Sequence, residues 1–195
     1  MKKLLVTFLL FGCMMTVALA QDTSAGKTAS GGQNTFSKDD KVVNVGIGFG
    51  STIYNGSHFS SKTPPISGTF ELGIKDNLFD EKSSLGVGGY LGYRGAKMEE
   101  SGYGWKYSSI IIGVRGAVHY QLVEKLDTYT GLMLGYNIGS ASAIGSSMSG
   151  SSGSAGGVTA SWYVGGRYYF TDKIAGMVEL GYGVAFLNLG IAIKL

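Results

Sequence analysis

The chain has 195 residues, of which 33 are glycine, 12 are tyrosine and 2 are proline, and only 15% carry charge. This composition excludes a disordered chain, which would carry more charge, and a helical domain, which would contain far less glycine. The formal net charge is +3. It includes Lys2 and Lys3, so the rest of the chain is close to neutral and offers no basic surface for nucleic acid.

The first 20 residues have the order of a secretory signal peptide. Two lysines precede an apolar run from Leu4, and Ala18-Leu19-Ala20 provides the small residues of a cleavage site. We therefore predict export and cleavage after Ala20. The alternative, a lipoprotein signal ending at Cys13, would place the bulky Phe11 inside its motif and does not explain why the apolar run continues past the cysteine.

Residues 21–40 are polar and show no periodicity. Such a segment has too little apolar surface to fold by itself, so we predict a disordered N-terminal tail. A plug or a docking arm is the alternative for this segment.

From residue 41 onward, apolar and polar residues alternate in successive segments. A period of two is typical of a β-strand with one apolar and one polar face. The final segment shows it most completely, because its leucines and isoleucines at 187, 189, 191, 193 and 195 all share one parity. The eight predicted strands cover residues 42–50, 66–75, 85–94, 105–120, 128–139, 158–170, 174–182 and 186–195.

These segments predict an all-β protein, an eight-stranded antiparallel up-and-down transmembrane β-barrel over residues 41–195. No run of 18 apolar residues follows residue 20, so no transmembrane helix is predicted. An apolar strand face needs cover, and closing a barrel within a lipid bilayer provides it. Eight is also an even number, as single-chain bacterial barrels require.

The predicted connections fall into a short and a long set. The short turns are 76–84, 121–127 and 171–173, and the longer loops are 51–65, 95–104 and 140–157. Short turns usually face the periplasm and longer loops the exterior. The loop at 140–157 is rich in Ser and Gly and is predicted to be flexible. The final connection reads as a two-residue turn at Val184-Ala185, which would pair Tyr182 with Leu187 and Leu180 with Leu189.

Aromatic residues fall at the predicted strand ends, where the girdles of a membrane barrel lie. A soluble sandwich core would instead place them in the middle of its strands. The outer girdle would contain Phe49, Tyr93, Trp105, Tyr107, Tyr136, Trp162 and Tyr182, and the periplasmic girdle Tyr120, Tyr168 and Phe170.

The last strand also contains Asn188, Gly190, Ile193 and Leu195. The spacing of these four residues resembles the C-terminal assembly signal of the small eight-stranded outer-membrane barrels. These include the OmpX type, the membrane domain of OmpA and the wider outer membrane protein beta-barrel domain family. The resemblance implies an outer-membrane location and insertion by the barrel-assembly machinery, which would read these four residues.

The inward parity of the predicted strands collects charged residues, and His119 is expected to join them near the periplasmic end. The charged set is Glu71, Lys75, Arg94, Arg115, Arg167, Glu179 and Lys194, of which Glu71, Arg115, Arg167 and Glu179 should lie nearest the middle. The interior of an eight-stranded barrel is just wide enough for side chains to fill it. Because unpaired buried charge is costly, these groups should pair, and Arg167 opposite Met177 would have Glu179 as a diagonal neighbour. A gated conduction path through small water-filled cavities is the alternative.

The sequence favours a monomeric, non-catalytic protein that acts structurally or through surface contacts of its outer loops. Outer-membrane lipid is the expected partner, and no extracellular partner can be named. A narrow porin-like channel is the alternative. A lipid-modifying enzyme would need His58, which lies beside serines in the first outer loop but in no typical catalytic arrangement. Two histidines without a cysteine in the mature chain predict no metal site, and no cofactor is expected.

Overall fold

The computed structural model describes residues 34–52, 61–100, 102–145 and 152–195. The predicted signal peptide and residues 21–33 lie outside this part of the chain. The strands β1 to β8 cover Lys41–Phe49, Ser61–Asp76, Ser83–Glu100, Tyr103–Val123, Leu126–Ile144, Ser152–Tyr169, Ile174–Tyr182 and Leu187–Lys194. Each pairs antiparallel with the next, and β8 pairs with β1 to close the barrel. No helix in the described residues is long and apolar enough to cross a membrane.

The outer face of the barrel is apolar, as the alternation predicts. Val114, Leu134 and Ile191 expose 66%, 58% and 57% of their surface, whereas the residues of opposite parity are mostly buried or small. A water-soluble protein does not expose apolar side chains on every strand, because their hydration is unfavourable. A closed strand ring with a polar inside and an apolar outside is a transmembrane β-barrel.

Exposed aromatic rings flank this apolar belt. Phe49, Tyr93, Tyr136 and Tyr182 lie towards one rim, and Tyr168 and Phe170 lie towards the other, as predicted. The prediction is wrong for Trp105 and Tyr107. Both side chains lie on the inward face of β4, whereas Ile110 lies on the outward face. They are half-buried and do not face the lipid.

The two rims of the barrel differ in their connections. At the short-turn end, residues 77–82, 124–125 and 170–173 join the strands; the other rim is called the loop end. The prediction that 95–104 and 140–157 are loops is wrong for most of these residues. Pairing of β3 with β4 continues to Glu100 and Tyr103, and pairing of β5 with β6 continues to Ser142 and Ser152. The Ser and Gly residues predicted to be flexible are therefore largely strand, held by backbone hydrogen bonds. Within these stretches, residues 101 and 146–151 are not described.

The hairpin between β7 and β8 differs from the predicted register by two residues. Leu180 pairs with Leu187 rather than with Leu189, and residues 183–186 form the turn. A hydrogen bond from the Gly181 N–H to the Phe186 carbonyl, 3.0 Å long, closes it. A shift of two keeps every side chain on its predicted face, so the apolar parity of β8 is unaffected.

The prediction of a disordered tail over residues 21–40 is wrong for its last part. Asn34–Asp40, called the strap below, crosses the short-turn end before β1 begins. Phe36 is 2% exposed and packs inside the barrel. One buried aromatic side chain and a set of backbone hydrogen bonds hold the strap against the barrel, although its sequence shows no apolar periodicity.

Candidate functional site

The prediction of an inward charge is wrong for Lys75, which is exposed, because the β2–β3 register shifts between Gly73 and Lys75. Five other charged residues predicted to face inward are buried close together in the lumen. Their exposed fractions are 1% for Glu71 and His119, 0% for Arg167, 5% for Arg115 and 7% for Glu179. Each lies on the inward parity of its strand, since successive side chains of a strand point to opposite faces. They form two groups, one nearer the short-turn end and one nearer the loop end.

The first group is a closed charge ring of Glu71, His119, Asp127 and Arg167. His119 lies 2.9 Å from Glu71 through Nε2 and 2.8 Å from Asp127 through Nδ1. Arg167 donates from Nη1 to Asp127 at 3.1 Å and from Nη2 to Glu71. Each carboxylate therefore uses one oxygen for the imidazole and the other for the guanidinium. Charge-assisted hydrogen bonds of this kind are about twice as strong as neutral ones.

The ring also favours the protonated form of His119. A neutral imidazole has one N–H donor, and its second nitrogen can only accept. Both nitrogens of His119 face carboxylate oxygens, which accept when ionised. With both carboxylates ionised, His119 must donate twice and is an imidazolium. The ring then holds two negative and two positive groups, and none of its buried charges lacks a partner.

The second group is built around Arg115 and Glu179. Arg115 Nη2 donates to Glu179 Oε1 at 2.6 Å, and its Nε donates to the Tyr163 hydroxyl at 3.0 Å. The Tyr129 hydroxyl donates to the same carboxylate oxygen at 2.9 Å. The Tyr129 ring also lies 4.5 Å from the Arg167 guanidinium. Tyr129 thus joins the two groups into one continuous polar network.

The predicted pairing within this network is partly wrong. Arg167 lies opposite Met177, as predicted. Its ion-pair partners, however, are Glu71 and Asp127, and Glu179 pairs with Arg115 instead. A diagonal neighbour on the next strand is only one of the residues that a long side chain reaches, because the lumen also brings opposite walls together.

Asp127 is the ring member that the sequence analysis missed. The predicted strand began at residue 128, which assigned Asp127 to a polar turn. It is 1% exposed and pairs with Gln121 in the β4–β5 ladder. Asp127 and Tyr129 share the inward parity of β5, so extending the alternation by one residue would have included it.

A small cavity lies inside the barrel next to this network. A cavity of about 40 Å³ lies beside Arg115 and Glu179, with Ser67, Tyr90 and Asn188 also on its wall. A space of this size admits about three water molecules. Beside Arg115 and Glu179 the lumen therefore has room for a few water molecules.

The described residues provide no arrangement for a metal ion. They contain no group of three or more His, Cys, Asp or Glu residues that could hold a metal ion. Both nitrogens of His119 are engaged in the charge ring. His58, the residue on which the enzyme alternative depends, lies outside the described residues.

The four residues of the suggested assembly signal divide between the two faces of β8. Asn188 and Gly190 point into the barrel, and Asn188 Nδ2 donates to Ser67 at 3.3 Å. Ile193 and Leu195 point outward and are 44% and 68% exposed. The outward pair is therefore accessible from the membrane side, and the inward pair belongs to the seam between β8 and β1.

No family model and no curated relative matches the sequence. Solved structures to which the chain is similar are small outer-membrane barrels. Ail of Yersinia pestis has 14% identity and a TM-score of 0.48, covering 80% of this chain and 95% of that chain. The N-terminal β-barrel domain of OprF from Pseudomonas aeruginosa has 14% identity and a TM-score of 0.48, covering 82% and 100%. Neisserial surface protein A has 13% identity and a TM-score of 0.42, covering 80% and 94%.

The fold is that of the small eight-stranded outer-membrane barrels, with eight antiparallel up-and-down strands in a closed ring. With TM-scores below 0.5, the similarities say nothing of a site or a role. The fold assignment rests on the strand ladder and the apolar outer face of this chain.

Proposed function

We propose that the protein is an integral outer-membrane barrel with a closed lumen, which has no catalytic activity and acts structurally or through contacts at its loop end. The charge ring is the observation that carries this proposal. Glu71, His119, Asp127 and Arg167 pair with one another across the lumen. A path for ions would have to break these buried contacts, each of which is costly to separate.

The loop end supports a role in surface contacts. Strands β3 to β6 continue beyond the apolar belt, and most of their outward residues there are polar or small, as Ser140 and Ser142 of β5 show. A paired sheet beyond the belt presents a defined surface at the exterior. Because the contacts of such a surface depend on its side chains, the fold by itself names no partner.

Conductance in a planar lipid bilayer tests the closed lumen. Refolded wild-type protein is expected to give no stable openings at moderate voltage. Stable openings whose size changes in Arg115→Ala or Glu179→Ala would overturn the closed-lumen proposal and support the narrow porin-like channel. Openings that also occur in a protein-free membrane with the same detergent content would come from the detergent and not from the lumen.

Surface labelling of intact cells tests the membrane location and the orientation. Gly102, in the β3–β4 turn, has a positive φ of 84° and no atom within 4 Å of the position of an added Cβ. An epitope inserted there should be detected on intact cells. The same epitope inserted between Glu124 and Lys125, at the short-turn end, should be detected only after the outer membrane is opened. Detection of the second epitope on intact cells would reverse the orientation.

A monomer in outer-membrane lipid, inserted by the barrel-assembly machinery, completes the proposal. The matching spacing of Asn188, Gly190, Ile193 and Leu195 supports recognition of β8 during insertion. Lipid A from cells that make the protein should be unchanged. An altered lipid A that reverts in His58→Ala would overturn the non-catalytic proposal.

A further inference from the structure

The strap is tied to strands from both halves of the barrel. Its Thr35 N–H donates to the Gln121 side chain of β4 at 2.7 Å, and the Phe36 carbonyl accepts from Ser84 of β3 at 3.0 Å. Lys194 of β8 forms an ion pair with Asp40 at 2.7 Å and also donates to the Thr35 carbonyl at 3.3 Å. The strap therefore spans the short-turn end rather than lying along one strand.

Phe36 is the inward side chain of the strap. Its ring stacks on the His119 imidazole with a centroid distance of 4.0 Å and an interplanar angle of 22°. It also lies 5.8 Å from the Arg167 guanidinium. A ring facing two cations gains cation–π stabilisation, which is larger where water is excluded. Phe36 thus covers the charge ring from the short-turn side.

Phe36 completes a buried apolar layer at this end of the barrel. The other members are inward residues of β1, β6, β7 and β8, namely Val42, Tyr169, Ala175 and Ala192. Three of these side chains are small or medium in size. Without the phenyl ring the layer would have an opening directly above the imidazole of His119.

The backbone of the strap fits a site that excludes a side chain. Asp39 N–H donates to the Gly73 carbonyl and Gly73 N–H donates to the Asp40 carbonyl, both at 2.9 Å. A Cβ at Gly73 would lie 2.0 Å from the Ser37 carbonyl oxygen, which real Cβ atoms do not approach. Asp39 adopts a φ of 69°, a left-handed conformation that aspartate tolerates better than most residues. Glycine at 73 and aspartate at 39 let the chain turn from the mouth into β1.

We propose that the strap, through Phe36, seals the short-turn mouth and keeps water and ions away from the charge ring. The proposal goes beyond the proposed function, because a lumen closed by its charge network alone needs no N-terminal segment. It assigns residues 34–40 a function as an internal plug, and it makes access to the lumen from this side depend on one side chain.

Ser84 provides a reporter beneath the strap. Its side chain is 1% exposed and bonds to the Phe36 carbonyl. In a Cys13→Ser background, Ser84→Cys gives the full chain a single thiol. The refolded protein in lipid vesicles is treated with a charged, membrane-impermeant maleimide. Adding Phe36→Ala should increase the labelling rate by at least about tenfold, because protection of a buried group is limited by local opening.

Phe79→Ala is the matched control. Phe79 lies in the turn between β2 and β3 and is 78% exposed, so the same truncation there should leave the labelling rate unchanged. A heat-modifiable gel shift establishes that each variant is folded. Gly73→Ala is the second variant, since its added Cβ displaces the strap backbone while Phe36 and the charge ring keep their own side chains, and it should also accelerate labelling.

Slow labelling in folded Phe36→Ala and Gly73→Ala would overturn the seal while leaving the closed-lumen proposal intact. Ser84→Cys removes one contact of the strap, but those of Thr35, Asp39 and Asp40 remain. Labelling of Ser84→Cys alone at the same rate as in Phe36→Ala would therefore overturn the seal. If Phe36→Ala does not fold, Gly73→Ala decides between these outcomes. Conductance that appears only in the strap variants would support the seal and locate the main barrier at the short-turn mouth.

Discussion

His119 Nδ1 and Asp127 Oδ1 lie 2.8 Å apart, and this contact joins the end of β4 to the start of β5 inside the barrel. The second oxygen of Asp127 accepts from Arg167 at 3.1 Å. One carboxylate beside a two-residue turn thus holds two buried cations. The short connection at residues 124–125 positions Asp127 because it leaves β4 and β5 little freedom to move apart.

Asp127→Ala should therefore be strongly destabilising. It leaves His119 and Arg167 with Glu71 as their shared carboxylate, and breaking a buried ion pair in this way costs about 3–5 kcal/mol. Urea unfolding in lipid vesicles measures the change in the free energy of unfolding. Asp172→Ala, in the exposed β6–β7 turn, should change it by less than about 0.5 kcal/mol. Similar losses for the two variants would contradict the ring.

Arg115 and Glu179 should show strong energetic coupling. Glu179→Ala leaves a buried guanidinium without its carboxylate, and Arg115→Ala leaves the carboxylate without its guanidinium. The double variant removes both charges, so its loss of unfolding free energy should be smaller than the sum of the single losses by about 1–3 kcal/mol. A double-mutant cycle in the unfolding assay measures this difference. Additive losses would show that the two groups act independently.

Two adjacent glycines of β3 should differ sharply in their tolerance of alanine. A Cβ at Gly88 would lie 2.0 Å from the Phe70 carbonyl oxygen, whereas a Cβ at Gly89 would meet no atom within 4 Å. Gly88→Ala forces β2 and β3 to shift, and such overpacking costs about 1–3 kcal/mol. Gly89→Ala should be close to neutral. Thermal unfolding, followed by the heat-modifiable gel shift, compares the two, and equal melting temperatures would be evidence against this local geometry.

The limits of the apolar belt can be tested on one face of one strand. Leu134 and Ser140 both point outward from β5, the first within the belt and the second beyond it. Leu134→Lys should reduce the free energy of unfolding by about 2–4 kcal/mol, as a cation near the middle of the bilayer does. Ser140→Lys should cost no more than about 1 kcal/mol. Equal costs, measured by unfolding in vesicles, would show that the belt has been assigned to the wrong height.

The side on which each residue lies could be predicted from the sequence, because a strand alternates with a period of two. The register between neighbouring strands was harder to predict from the sequence. The two-residue difference at Leu180 and Leu187 preserves every face, so the pairing of apolar with apolar residues could not reveal it. The length of the turn at 183–186 decided the register, and its four residues have no unambiguous turn signal.

The charged residues of the lumen could be predicted individually, but their partners could not. Parity places Arg167 and Glu179 inside, whereas the partner of Arg167 is decided by the distance across the lumen and not by strand pairing. The burial of Phe36 could not be predicted from the sequence for a different reason. A single aromatic residue in a polar segment has no periodicity, and its burial depends on contacts with residues far away in the chain.

The contact between the strap and Lys194 has a consequence for the order of assembly. The strap needs partners on β2, β3, β4 and β8, and β8 is the last strand of the chain. The N-terminal segment therefore cannot reach its final position until the C-terminal strand has been inserted and paired with β1. A half-inserted barrel would stay open at this mouth, so the position of the strap reports on whether β8 is in place.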